Sequence, residues 1–273
     1  NSEHEKEITL IIPVPGNESG QELQNEPCFI PDNVVRGTCV NGSNFAMWKG
    51  RLFSKQKKIF EMKFTVNKIP LTTFAGSPPV AAQRSGNKFI HPNDSRIKEI
   101  RDNLELESCS ITEKIEKINA WVISSLRYDN SIVGLYTDIE SLEKGSVDCG
   151  GFNTLFMSIC RSAGIPCRLI LGFWAGYKQN EMHAWVEVYN KDSKSWIVAD
   201  PSVEQLRSQG RTRKAGRLGF IGSDRIIFSN GCDYSVQTNT FFTNVDILQH
   251  PILLCAGGTK DVQITTMVKG VRL

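Results

Sequence analysis

The chain has 273 residues, enough for one large domain or two small ones with a sizeable core. Its 32 basic and 29 acidic side chains leave a formal charge of +3, too small to make an electrostatic case for nucleic acid. No apolar run is long enough to span a bilayer, and the polar start at Asn1 reads as a trimmed mature protein, extracytoplasmic or secreted.

Residues 1–75 read as a β-rich domain of sandwich type. Ile8, Leu10 and Ile12 alternate in a first strand, Phe45 to Phe53 form another interrupted at Gly50, and Phe60, Met62, Phe64 and Val66 repeat every second residue. Nothing in this region looks catalytic; it reads as a packing or substrate-positioning module. Residues 76–92 are rich in Pro, Ser, Gly and Ala and read as a linker to a domain over 93–273. A helix starts near Asp94 or Ser95 with Ile97, Ile100 and Leu104 on one face. Another opens on Ser110-Ile111-Thr112-Glu113, a capping-box pattern, with the stripe Ile115, Ile118, Val122 and Leu126. A short helix runs from Thr137 to Lys144 and stops at Gly145.

Next comes Val147-Asp148-Cys149-Gly150-Gly151-Phe152. Apolar residues at 152, 155, 156 and 159 mark one buried helical face, and Gly164 with Pro166 ends it. Cys149 therefore stands at a helix start, where orphan N–H groups and the macrodipole favour a thiolate. Taken alone, it reads first as a small buried hydrophobe, the usual fate of a free cysteine. Met182 to Tyr189 alternates as a strand with His183 at its start. Trp196 to Ala199 is a further strand, ended by Asp200-Pro201 because proline cannot extend a ladder. Thiol, imidazole and carboxylate in this order supply a nucleophile, its base and a group to orient the base. The strands Arg225 to Phe228, Phe241 to Leu248, Ile252 to Cys255 and Val262 to Val268 are expected to complete the sheet carrying His183 and Asp200. Between lies Arg207 to Arg217, with five basic and no acidic residues, read as a mobile solvated loop or a cationic flap beside the site.

The stretches Asp148-Cys149-Gly150-Gly151-Phe152, His183-Ala184-Trp185-Val186-Glu187 and Asp200-Pro201-Ser202 resemble the core motifs of the transglutaminase-like superfamily. Cys160 to Arg168, leading into Leu169 to Gly172, resembles the family's passage between nucleophile and His, and the likeness covers roughly residues 95 to 235. Asp224 to Ser229 and the opening Ile12-Pro13-Val14-Pro15 are similar to bacterial members of peptidase type. The resemblance implies an α+β fold with a papain-like core, in which a helix-borne Cys packs on an antiparallel sheet carrying His and Asp. It also implies a catalytic triad of Cys149, His183 and Asp200, with Gly150, Trp185 and Tyr128 as substrate-binding candidates.

The chemistry so implied is acyl transfer on a peptide or amide through a Cys149 thioester. Water as acceptor gives a peptidase or amidase, the favoured outcome; an amine gives a cross-linking transglutaminase; a non-catalytic binding scaffold is the third reading. The Cys149 N–H is one oxyanion donor, while Tyr128, Tyr136 and Trp121 offer no ground for choosing a second. No cofactor or metal is expected, since the four histidines lack ligand spacing to any cysteine pair. The partner is a peptide or protein substrate. Of the eight cysteines, Cys28 and Cys39 could close a loop in an oxidising compartment, and Cys160 and Cys167 read as buried thiols.

Overall fold

The computed structural model of the chain describes residues 5–129, 131–132, 134–238, 241–255, 258 and 262–270. The first strand, Lys6–Val14, pairs antiparallel with Asn44–Leu52, placing Leu10 opposite Trp48. It is apolar on both faces because both are covered. Ile8, Leu10, Ile12 and Val14 pack with Phe29 and Trp48, whereas Ile11 packs with Phe45, Met47, Val236 and Leu248. The expected interruption at Gly50 does not occur. The strand runs through to Leu52, and the Trp48 ring fills the space that a Cβ at Gly50 would need. The Phe60–Val66 alternation splits into two short strands with different partners. Glu61–Lys63 pairs with Cys28–Ile30, and Val66–Lys68 with Gln21–Leu23.

Four helices precede or carry the site. Helix α1 (Ser95–Asn103) is capped by Asp94, whose carboxylate accepts from the Arg96 N–H. Helix α2 (Ile111–Ser125) begins in the Ser110/Glu113 capping box and buries Ile115, Ile118 and Val122. Helix α3 (Asp138–Lys144) begins in a Thr137/Glu140 box and ends at Gly145 with φ 63°. Helix α4 (Cys149–Ser162) is the central element, buried from Gly150 to Arg161. Leu155, Phe156 and Ile159 pack with Ala184, Val186 and Val188 of the strand Met182–Asn190. Each such large side chain contributes about 1.5–3 kcal/mol relative to exposure.

The sheet under α4 is antiparallel, in the order Arg225–Asn230, Cys167–Trp174, Met182–Asn190, Ser195–Ala199 and Thr73–Ala75. Its membership corrects the sequence reading at both ends of the chain. Of the late strands, only Arg225–Asn230 joins it. Phe241–Val245 forms a hairpin with Tyr234–Thr238, Ile252–Cys255 pairs with Lys6–Val14 in the N-terminal sheet, and residues 262–270 form no regular strand. Conversely, Thr73–Ala75 supplies the outer edge of the core sheet, and Phe89 and Ile90, read as linker, are buried in the main core. Each sheet thus takes an edge strand from the far part of the sequence. Cys28 is exposed and Cys39 buried, both as free thiols, so the suggested 28–39 disulfide is absent; Cys160 and Cys167 are buried free thiols.

Candidate active site

The turn into α4 is built by Asp148 and two glycines. The Asp148 carboxylate caps the helix, accepting from the Gly151 N–H at 3.3 Å and from the Ile132 N–H at 3.2 Å. A Cβ at Gly150 would come within 2.8 Å of Leu135, and one at Gly151 within 2.6 Å of Val147. The glycine pair therefore lets the chain pack tightly beneath the nucleophile. Cys149 itself is partly exposed, and the backbone N–H groups of Ala184 and Gly150 lie close enough to its sulfur to favour the thiolate. The first of these belongs to the residue that follows His183.

His183 is almost fully buried, stacked on Trp174 with ring centroids 4.5 Å apart; Trp185 lies 6.1 Å away on its other contact. Its Nε2 meets Asp200 Oδ2 at 2.7 Å. Its carbonyl accepts from Gln249 Nε2 at 2.9 Å, and the same amide donates to the Gly172 carbonyl at 2.8 Å, fixing the end of the sheet. Asp200 ends one strand and also caps helix α5 (Pro201–Ser208), with Pro201 at its first position. Oδ1 accepts from the Ser202 hydroxyl at 2.9 Å and the Val203 N–H at 3.1 Å; Oδ2 also accepts from Arg225 Nη1 at 2.6 Å. Arg225 is fully buried, with its guanidinium carbon 4.3 Å from the Trp174 ring and 5.4 Å from Trp185.

The charges follow from this packing. Burial alone would raise the Asp200 carboxyl, but His183 and Arg225 outweigh it and hold the group well below the carboxylate range. Burial lowers His183; Asp200 opposes that shift, while Arg225 and Lys214 add to it. Burial and the Asp148 carboxylate push the Cys149 thiol up to about 12, against the pull of the Ala184 and Gly150 N–H groups. The helix start does not win here: burial shifts both the Cys149 thiol and the His183 imidazole toward their uncharged forms.

The structure thus joins His183 to Asp200 directly and places the start of α4, with Cys149, near the strand that carries His183. Glu187, a possible rival for the imidazole, is committed to Arg168 at 2.6 Å, and the Asn153 amide lies buried without a partner. Gly150 stands at the thiol through its N–H. Trp185, the substrate-binding candidate, is fully buried among Leu71, Ile170, Val198, Ile221 and Ile227, so its ring is a floor under His183 and not a surface for substrate. Tyr128 does reach the site. Its two-residue strand, Arg127–Tyr128, pairs with Ser146–Val147 just before Cys149, and its ring lies 6.2 Å from Phe152. Burial, then the nearby Cys149, Asp148, Asp200 and Glu181, keep its phenol protonated far above the ordinary range.

Sequence reasoning missed Arg225, the stacking of Trp174 and the whole of α5. Signals existed for two of them. Asp200-Pro201-Ser202-Val203-Glu204 has a capping residue with proline at the first helical position. Arg225 interrupts an apolar strand, and a buried cation requires an acidic partner.

Residues 98–201 match the Transglutaminase-like superfamily, a span that contains Cys149, His183 and Asp200 but not Arg225. An uncharacterized protein of Haemophilus influenzae is 31% identical over 188 residues, covering 62% of this chain and 51% of that protein. The chain therefore spans about half the length of this curated relative. Among solved structures, a candidate cysteine protease from Cytophaga hutchinsonii has the same fold, with a TM-score of 0.58 at 14% identity over 98% of this chain and 90% of that one. The periplasmic domain of TgpA from Pseudomonas aeruginosa is more distant, with a TM-score of 0.46 at 12% identity over 76% and 73% of the two chains.

Proposed function

Residues 98–201 belong to the transglutaminase-like superfamily, and from that premise we propose that the chain is a cysteine hydrolase acting on peptide or amide bonds through a Cys149 thioester. The observation that carries this reading is the His183 imidazole held by Asp200 through Nε2 at 2.7 Å, on the strand whose next residue, Ala184, has its N–H near the Cys149 sulfur. With Nε2 engaged, Nδ1 is the nitrogen left to take the thiol proton. Sulfur then bonds to the substrate carbonyl carbon, and the imidazolium returns the proton to the departing amine nitrogen as the C–N bond breaks. Asp200 orients the ring and stabilises its charged form. Water, deprotonated by His183, cleaves the thioester and frees the thiol. Cys149 is partly exposed, so water has access to the acyl-enzyme. No helix among the described residues is long and apolar enough to cross a membrane.

The test is mass spectrometry of products after incubation with an amide-containing peptide and excess primary amine. Hydrolysis should dominate. An amine adduct exceeding the hydrolysed product would replace the hydrolase reading by a transferase one and leave the thioester intact.

The tetrahedral oxyanion needs aimed donors. The Cys149 N–H at the start of α4 is one; of the three aromatic candidates, Tyr128 is the one whose phenol lies near enough to Cys149 to feel its charge. Tyr128→Phe is therefore expected to lower kcat by about 10²–10³-fold with little change in KM. An unchanged kcat would reduce Tyr128 to a packing partner of Phe152.

A further inference from the structure

The basic segment 207–217 is not a free loop. Arg207 Nη1 donates to the carbonyls of Arg213 at 3.3 Å and Lys214 at 3.1 Å, closing the segment on itself. Its other anchors lie on both walls of the cleft. On the Cys149 side, Arg211 donates to the Tyr128 carbonyl from Nη1 at 3.3 Å and Nη2 at 3.4 Å. On the His183 side, Lys214 pairs with Glu181 at 3.0 Å and lies 4.7 Å from the centroid of Trp174, the ring stacked on His183. The buried Arg225 donates to the Ala215 carbonyl between them.

The charge at this mouth is unbalanced. The site's own carboxylates, Asp148, Asp200 and Asp224, are all buried. Asp148 and Asp200 are spent on donors described above, and Asp224 accepts from the Tyr177 hydroxyl. Glu181 is exposed but engaged by Lys214, and Asp129 lies 4.0 Å from Arg127. Arg211 and Arg213 are exposed, and among the described residues neither meets a carboxylate; Arg211 donates to the Tyr128 carbonyl and the Gln209 amide oxygen.

We propose that the segment 207–217 is the cationic lip of the Cys149 cleft, and that it selects substrates carrying a carboxylate close to the scissile amide, as an acidic peptide does. This deepens the thioester reading and rests on it. Two solvated ion pairs of this kind favour a Glu-containing peptide over its Gln counterpart by about three- to tenfold in kcat/KM at low ionic strength. The preference fades with added salt, because exposed charges are screened beyond about 8–10 Å.

The test uses the whole chain and two readouts. In the first, peptides identical except for Glu, Gln or Lys beside the scissile amide are compared for kcat/KM. The expected order is Glu, Gln, Lys, reversed by Arg211→Glu with Arg213→Glu, while Lys57→Gln, at an exposed lysine of the N-terminal β-rich region, leaves the order as it was. In the second, Cys149 is alkylated by iodoacetate or by iodoacetamide; either forms the same C–S bond and expels iodide, but only iodoacetate is an anion. The iodoacetate-to-iodoacetamide rate ratio should be about three- to tenfold higher at Cys149 than at the exposed Cys28 and should fall in the double variant. Equal ratios at the two thiols, or a peptide order unmoved by charge reversal, overturn the inference even if peptides are cleaved. A chain that cleaves no peptide yet keeps the anion preference at Cys149 retains the cationic lip and loses the hydrolase reading.

Discussion

Cys149→Ala should remove turnover, lowering kcat/KM by at least about 10³-fold while leaving the fold intact. The reasoning begins with what the sulfur does for stability, which is little. Cys149 is partly exposed and packs only at the margin of the main core, so removing its sulfur costs under about 1 kcal/mol. The melting temperature should move by only a few degrees at most. Cys160 makes the opposite case. It lies on the same helix, fully buried, with its thiol pushed well above the ordinary range by burial. Cys160→Ala should lower stability through lost packing while the folded fraction still turns over substrate. A pair of measurements, thermal unfolding and kcat/KM, separates the two roles. Substantial activity in Cys149→Ala would place the nucleophile elsewhere and end the thioester reading.

Much of this site was legible because its determinants are local. Ser110 with Glu113, and Thr137 with Gly145, announce helix ends through groups a few residues apart, and the structure uses them as caps. The run from Phe152 to Ile159 announces a buried face by its period alone. Strand partners are not local in this sense. Ile252–Cys255 has the composition of any inner strand, and nothing within it says that its neighbour is Lys6–Val14 rather than the strand carrying His183. Thr73–Ala75 sits in a polar, turn-like context and becomes a strand because Ser195–Ala199 leaves an open edge. The electrostatics failed for a related reason. A helix start favours a thiolate, but the burial that comes from packing α4 under the His183 strand costs more, and burial is a tertiary quantity.

Asp200→Asn should lose both activity and stability, because one carboxylate serves both the His183 imidazole and the Arg225 cation. Oδ2 accepts from His183 Nε2 and from Arg225 Nη1, and all three side chains are buried. An amide in its place leaves the buried Arg225 with Asp224, 3.9 Å from its Nε, as its remaining counter-charge, a loss of up to about 3–5 kcal/mol, or roughly 10 °C in melting temperature. It also removes the group that orients the imidazole and stabilises its charged form, which costs about 10⁴-fold where a buried Asp serves a His in the same way. The pH dependence carries the sign. The Asp200 carboxyl is held below its ordinary value of 3.8, so its contribution is full above that pH and shrinks as pH falls below it, and the unfolding curves of native and variant chains should converge in acid. Arg225→Met tests the other half of the arrangement, as a positioning residue. The guanidinium lowers His183, whereas Asp200 raises it. Removing Arg225 should therefore move the acid limb of kcat/KM to higher pH, and removing the Asp200 charge should move any residual activity to lower pH. Burial keeps the native limb below the ordinary imidazole value of 6.5. A limb that stays in place in Arg225→Met, with activity lost only in proportion to unfolding, would make Arg225 a packing residue and confine the tuning of His183 to Asp200.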